Sequence, residues 1–116
     1  MGMLEEVSDK IVRRQYEFSR HALDQSINRD ISVEEIEEAV LNRSQVIEDY
    51  PEDKYGSSCL ILGFTNAGRP LHFQCSYPSR PIIKIITIYE PEVNSWIDWK
   101  VRRQGQRGRK YEGNDD

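Results

Sequence analysis

Apolar and polar positions follow two different periods along this chain, and the change between them divides it. Leu4, Val7 and Ile11 recur at helical spacing within LEEVSDKIVRRQ, a narrow apolar stripe that predicts an N-terminal helix lying on the domain or against a partner. Tyr16-Glu17-Phe18 alternates and predicts a short extended step. Ser19 is placed to cap a helix running to about Asn28, with Phe18 and Leu23 as the flanking apolar pair. In that helix Ala22, Leu23 and Ile27 form the apolar side, and His21, Gln25 and Asn28 stack as a polar stripe. Ser32-Val33-Glu34-Glu35 is a capping box between Ile31 and Ile36. It predicts a helix over Val33 to Asn42 that buries Val33, Ile36, Ala39, Val40 and Leu41.

From Gln45 onward the period shortens and β-formers take over. Gln45–Tyr50, Ser58–Thr65, Leu71–Ser76 and Ile82–Glu90 read as strands. Their connections are too short for a parallel crossover, so consecutive strands must be antiparallel neighbours. Asn66-Ala67-Gly68-Arg69 is a hairpin loop in which Gly68 can take a left-handed conformation. The Pro-flanked joint Tyr77–Pro81 turns the chain into IIKIITIYE, its most apolar run. Beyond Pro91, the spacing of Val93, Trp96, Ile97 and Lys100 predicts a short helix over Val93–Arg103, with Trp96 and Trp99 anchoring it to the sheet.

The fold class is therefore α+β, with N-terminal helices packed on a four-stranded antiparallel meander and a short C-terminal helix. Residues 1–15 read as a helical extension, 16–103 as a single domain, and 104–116 as a flexible tail, basic and then acidic.

Charge adds an asymmetry. Residues 1–53 carry 6 Lys/Arg against 14 Asp/Glu, and residues 54–110 carry 10 against 3. Such a chain can offer a basic face to an anion such as RNA, or can join its opposite charges across the fold. Glu34, Glu35, Glu37 and Glu38 read as a solvated face. Cys59 and Cys75 fall inside strands without metal-ligand spacing and read as buried thiols, and with only two histidines no metal and no cofactor are expected. No apolar run approaches a membrane span and MGMLEEVSDK lacks a signal-peptide core, so no membrane association and a cytoplasmic location are expected.

Candidate chemistry centres on His72. In LHFQCS, Leu71, Phe73 and Cys75 alternate with His72, Gln74 and Ser76, which sends His72 and Gln74 to the face opposite the helices. Lys84 interrupts the apolar strand that follows. Pairing His72 with Lys84 groups the two, whereas pairing His72 with Ile85 separates them, because one residue of slip flips every side chain; the sequence leaves the register open. Grouped, His72, Lys84, Arg80 and the Lys54-Tyr55 loop would form a cationic patch with one titratable imidazole. That set suits metal-independent RNA cleavage, in which a base activates the 2′-hydroxyl, an acid protonates the leaving oxygen and Lys or Arg stabilises the phosphorane. An ordinary basic surface has the same composition. His21, near a helix N-terminus, could accept a proton or serve structurally.

Phe18-Ser19-Arg20-His21-Ala22, Arg29-Asp30-Ile31-Ser32, Tyr50-Pro51 with Asp53-Lys54-Tyr55-Gly56, Leu71-His72-Phe73 and Ile86-Thr87-Ile88-Tyr89-Glu90-Pro91 together resemble the domain of unknown function 4258 family over roughly residues 16–103. That family looks like a branch of the RelE/ParE toxin superfamily. The resemblance implies a RelE-like fold, and the toxin of a type II toxin–antitoxin pair acting as an mRNA endoribonuclease. It also implies a small antitoxin partner with a zinc-finger domain, RNA as substrate and room for a homo-oligomer. The catalytic candidates are then His72, Lys84, His21 and Tyr89, and the substrate-binding candidates Arg29, Lys54, Tyr55, Gln74, Arg80, Arg102 and Arg103. The competing expectation is a non-catalytic interaction module of the same fold.

Overall fold

Capping decides where the helices begin. A computed structural model describes residues 2–54 and 56–103, with helices α1 (Met3–Val12), α2 (Arg20–Asn28) and α3 (Val33–Leu41). Ser19 Oγ accepts the Ala22 N–H at 3.0 Å and opens α2. Ser32 and Glu35 complete the capping box of α3 at 3.0 Å in each direction.

Five strands make the main sheet: β1 (Tyr16–Phe18), β2 (Ser44–Tyr50), β3 (Ser58–Phe64), β4 (Pro70–Ser76) and β5 (Ile83–Tyr89), in the order β1-β5-β4-β3-β2. The antiparallel meander is present, but the short step at Tyr16–Phe18 joins it as a fifth strand, parallel to β5. Four strands was an undercount, because three alternating residues carry too little signal to show that they pair with a segment 67 positions away. Beyond Phe18 the outer edge of β5 is closed by α2: Ser19 N–H donates to the Ile85 carbonyl at 2.9 Å, Ser19 Oγ to the Ile86 carbonyl at 2.8 Å, and Gln25 Oε1 accepts the Ile88 N–H at 2.8 Å. A helix thus satisfies an edge that would otherwise be open.

The helices cover one face of the sheet. Val7, Ile11, Ala22, Ile36, Ala39 and Val40 pack there on Ile61, Leu71, Phe73, Ile83, Ile85 and Ile88. Cys59 and Cys75 lie opposite each other in this core as free thiols, as expected. Gly63 sets the approach of α3, since a Cβ there would sit 2.0 Å from the Ala39 carbonyl oxygen. The expected helix faces need correction. In α2 only Ala22 is buried, and Leu23 and Ile27 are 47% and 69% exposed. In α3, Val33 and Leu41 stay in solvent. The polar Gln25 takes the inward place because it can bond the sheet edge.

The predicted C-terminal helix does not form. Trp96–Ile97 (β6) and Val101–Arg102 (β7) pair as an antiparallel ribbon. Its turn holds Asp98 at φ +53° and Trp99 at φ +66°, and closes through the Lys100 N–H to the Ile97 carbonyl at 2.9 Å. Two consecutive positive φ values are what a tight hairpin turn demands, and this one makes the turn without the glycine that usually marks it. The tail expected over 104–116 lies outside the described residues. No described helix is long and apolar enough to cross a membrane.

Candidate functional site

The second face of the sheet lies under the β6–β7 ribbon, and that cover turns a row of polar side chains into a buried cluster. Cross-strand register aligns Leu62, His72 and Tyr89 in one row and Glu48, Leu60, Gln74 and Thr87 in the next. His72 therefore faces away from the helices, as its alternation predicts. It does not reach solvent: its side chain is 0% exposed, with the Trp96 ring edge-on at 4.4 Å and the Tyr89 ring at 5.2 Å.

Both imidazole nitrogens are engaged. Nε2 lies 2.6 Å from the Trp99 carbonyl oxygen. A carbonyl only accepts, so Nε2 carries the proton and Nδ1 is left to accept from the Tyr89 hydroxyl at 3.1 Å. Burial pulls the His72 pKa down to about 4, against the opposing pull of the Trp99 carbonyl and Glu48. The same burial pushes the Tyr89 phenol up, and the charges of Arg102 and Arg29 only partly offset it. At neutral pH the pair is thus a neutral imidazole beside a protonated phenol.

A charged clamp holds the cover down. Arg102 Nε meets Glu48 at 2.8 Å and Nη2 meets it at 3.2 Å, a two-pronged bond with both side chains under one-fifth exposed. The same guanidinium stacks 4.5 Å above the Trp96 ring, and the Tyr50 hydroxyl donates to Glu48. Glu48 stands next to a bulge at Ile47, one extra residue that re-aims the carboxylate along its strand.

His72, Tyr89 and Arg102 are thus brought together, with Arg29 close enough for its charge to act on Tyr89. The other candidates are dispersed. Neither proposed pairing of His72 occurs: it faces Tyr89, and a second irregularity between Gln74 and Cys75 puts Ile85, not Ile86, opposite Cys75. Ile85 thereby stays in the helix-side core. Lys84 comes out on the His72 face but at the opposite end of the strand, 3.6 Å from Glu17. Lys54 and Arg80 lie in the two loops at that far end, joined by the Tyr77 N–H to the Ser57 carbonyl at 3.0 Å. Tyr55 is outside the described residues.

Gln74 is buried and donates to Ser58 Oγ at 2.9 Å, so it does not face a substrate. His21 lies on α2, on the helix-covered side, with Nε2 buried and unbonded among the described residues. Arg103 holds the Val93 carbonyl at 3.0 Å. Arg80 and Arg29 are exposed.

Sequence reading missed Glu48, Tyr50 and Arg69. Arg69 ties Glu35 at 3.0 Å and Glu90 at 2.8 Å, and also bonds the carbonyls of Asp30 and Arg29 at 3.0 and 3.1 Å. With Glu48–Arg102 and Glu17–Lys84, the Glu35–Arg69 pair shows the acidic front of the chain meeting the basic back across the fold. Glu35, Glu37 and Glu38 are correspondingly not a free solvated face: Glu37 accepts from Tyr16 Oη at 2.8 Å and Glu38 from the Asn66 N–H at 2.9 Å.

These observations define the class first: a small α+β domain with helices on one face of a mostly antiparallel sheet and an aromatic ribbon over a histidine on the other. The chain belongs to the family described as Domain of unknown function (DUF4258), whose model matches residues 18–90. The match takes in Arg29, Glu48, His72 and Tyr89 and stops short of the Trp96–Arg102 ribbon. No curated protein and no solved structure matches the chain.

Proposed function

We propose that this chain is the toxin of a type II toxin–antitoxin pair, a RelE-like endoribonuclease that cleaves mRNA in the cytoplasm without a metal and is held in check by a small antitoxin bearing a zinc-finger domain. The resemblance to the RelE/ParE superfamily supports the fold and biological setting. One observation carries the chemistry: the Tyr89 hydroxyl donating to a neutral imidazole nitrogen of His72 at 3.1 Å. In this reading the phenol takes the 2′-hydroxyl proton of RNA as it passes its own to His72 Nδ1. The 2′-oxygen bonds to phosphorus to give a phosphorane that Arg29 and Arg102 stabilise, and the P–O5′ bond breaks as the proton returns from His72 through Tyr89 to the leaving 5′-oxygen, leaving a 2′,3′-cyclic phosphate. His72 acts through Tyr89 and does not touch the substrate.

A second reading, the non-catalytic interaction module, is favoured by the burial of His72. An imidazole whose pKa is pulled to about 4 is a weak base at neutral pH, and two satisfied ring nitrogens suit a lock that holds the ribbon. One experiment separates the two: purified protein is incubated with RNA, with and without EDTA, beside Tyr89→Phe. Cleavage that survives EDTA and disappears in Tyr89→Phe, with the variant still folded by circular dichroism, supports the nuclease. Intact RNA together with normal growth on expression sinks it and leaves the interaction module. A neighbouring reading frame encoding a small CxxC-containing protein is the outcome expected for the antitoxin.

A further inference from the structure

The sheet order leaves β2 at an edge. Among the described residues, none of the backbone groups of residues 44–49 bonds outside the β2–β3 ladder. The strand is seven residues long, SQVIEDY, with neither proline nor lysine to blunt it, and such an edge is a template for another strand. The opposite edge is the three-residue β1, beyond which α2 closes β5, so among the described residues β2 is the long open edge of this sheet.

Charge is unevenly placed along that edge. Arg43 precedes β2, stacked 5.2 Å over the Phe64 ring, and with Lys100, Glu5, Leu4 and Leu41 it lines an open groove of about 610 Å³. At the other end stand Asp49 and Glu52, both exposed. Asp49 accepts from the Tyr77 hydroxyl at 2.5 Å. Arg43, Lys100 and Glu52 make no ion pair among the described residues. A strand that is basic at its start and acidic at its finish is complementary to itself run backwards.

We propose that β2 is the interface of a two-fold dimer of this chain, in which two β2 strands pair antiparallel and continue the sheet across both copies. A dyad between Ile47 and Glu48 sets Arg43 of each copy against Glu52 of the other and lowers the exposed Pro51 of the second copy over the groove beside Leu4 and Leu41. The bulge at Ile47 falls at the dyad, so the new ladder has two arms flanking an irregular centre. The interface is isologous, as two-fold symmetry requires. It does not rest on the RNA-cleaving reading: His72 and Tyr89 lie on β4 and β5, and of the cluster only Glu48 and Tyr50 belong to the edge strand.

Sedimentation velocity of the full chain over a dilution series tests this. A concentration-dependent monomer–dimer equilibrium is expected. Arg43→Glu and Glu52→Arg should each weaken association by about tenfold or more, and the two combined should restore it, because the swap rebuilds the pair in reverse. Both positions are exposed, and circular dichroism checks that each variant is folded. A monomer at every concentration overturns the proposal, and so does a dimer indifferent to the single reversals or not rescued by the double one.

Discussion

Replacing His72 by glutamine should remove most of the protein's sensitivity to mild acid, and the size of that loss follows from the site. In the unfolded chain the imidazole titrates at 6.5, and in the folded cluster burial pulls it to about 4. The folded pKa is the lower one, so between the two values the unfolded state binds more protons and stability falls as pH falls. Above about pH 7 both states are neutral and His72 adds no slope; below about pH 4 both are protonated and the loss is complete, at about 3 kcal/mol. Between about pH 8 and about pH 5 the loss attributable to this group is about 2 kcal/mol.

Glu35, which the Ser32 N–H and then Arg69 hold below the usual carboxylate value of 4.5, stabilises above that value and weakens the fold only at lower pH. A window ending near pH 5 therefore isolates histidine. Urea unfolding of both proteins across this range gives the difference in slope, and His21 cancels because it is present in both. Equal slopes in the two proteins, or an imidazole resonance for His72 titrating near 6.5, would refute the buried, doubly bonded imidazole.

Three further substitutions test the helix packing, a hairpin turn and the clamp over the cluster. Gly63→Ala brings a methyl carbon within 2.0 Å of the Ala39 carbonyl oxygen and must push α3 off the sheet, so a loss of more than about 3 kcal/mol is expected in chemical denaturation. Gly68→Ala, at φ +87° with open space around it, should cost only about 1 kcal/mol. Arg102→Met leaves Glu48 with Tyr50 alone and removes the cation above Trp96. A loss of about 2 kcal/mol and a red-shifted tryptophan emission are expected as the ribbon loosens, and an unchanged spectrum would show that the clamp does not hold it.

Local chemistry explains which parts of this architecture the sequence reveals. The starts of α2 and α3 are legible because each needs only a serine and groups within three residues of it. The meander is legible because short loops allow one pairing sense. Strand β1 is half legible: the alternation of Tyr16-Glu17-Phe18 shows its extension, but not its pairing with β5. The ribbon misleads for a related reason: its turn uses Asp98 and Trp99 where glycine or asparagine would announce it, and the spacing of Trp96, Ile97 and Lys100 imitates a helix. Bulky residues hold positive φ only where the surroundings over-determine them. Here the Trp99 carbonyl is fixed by His72 and the Trp96 ring is pinned between that imidazole and Arg102.

The site depends on two irregularities that period-two reasoning has no means to supply. Alternation correctly sends His72 away from the helices, yet it then implies exposure, because nothing in LHFQCS signals that residues 96–102 return to cover it. Strict alternation from the pair His72–Tyr89 would also set Ile85 opposite Ser76 and turn it out of the core. The irregularity beside Cys75 absorbs one residue and lets the strand keep Ile83, Ile85 and Ile88 all on the helix side. Ile88 faces inward either way, and placing Ile83 and Ile85 in the core in place of Lys84 and Ile86 stabilises by several kcal/mol, ample to outweigh the ladder bonds disturbed by one extra residue. At Ile47 the second bulge sits beside Glu48, whose partner Arg102 is 54 residues away. The register of the Pro-flanked turn is therefore not the deciding variable for His72: the imidazole's surroundings are set by core burial on one side of the sheet and by the distant ribbon on the other.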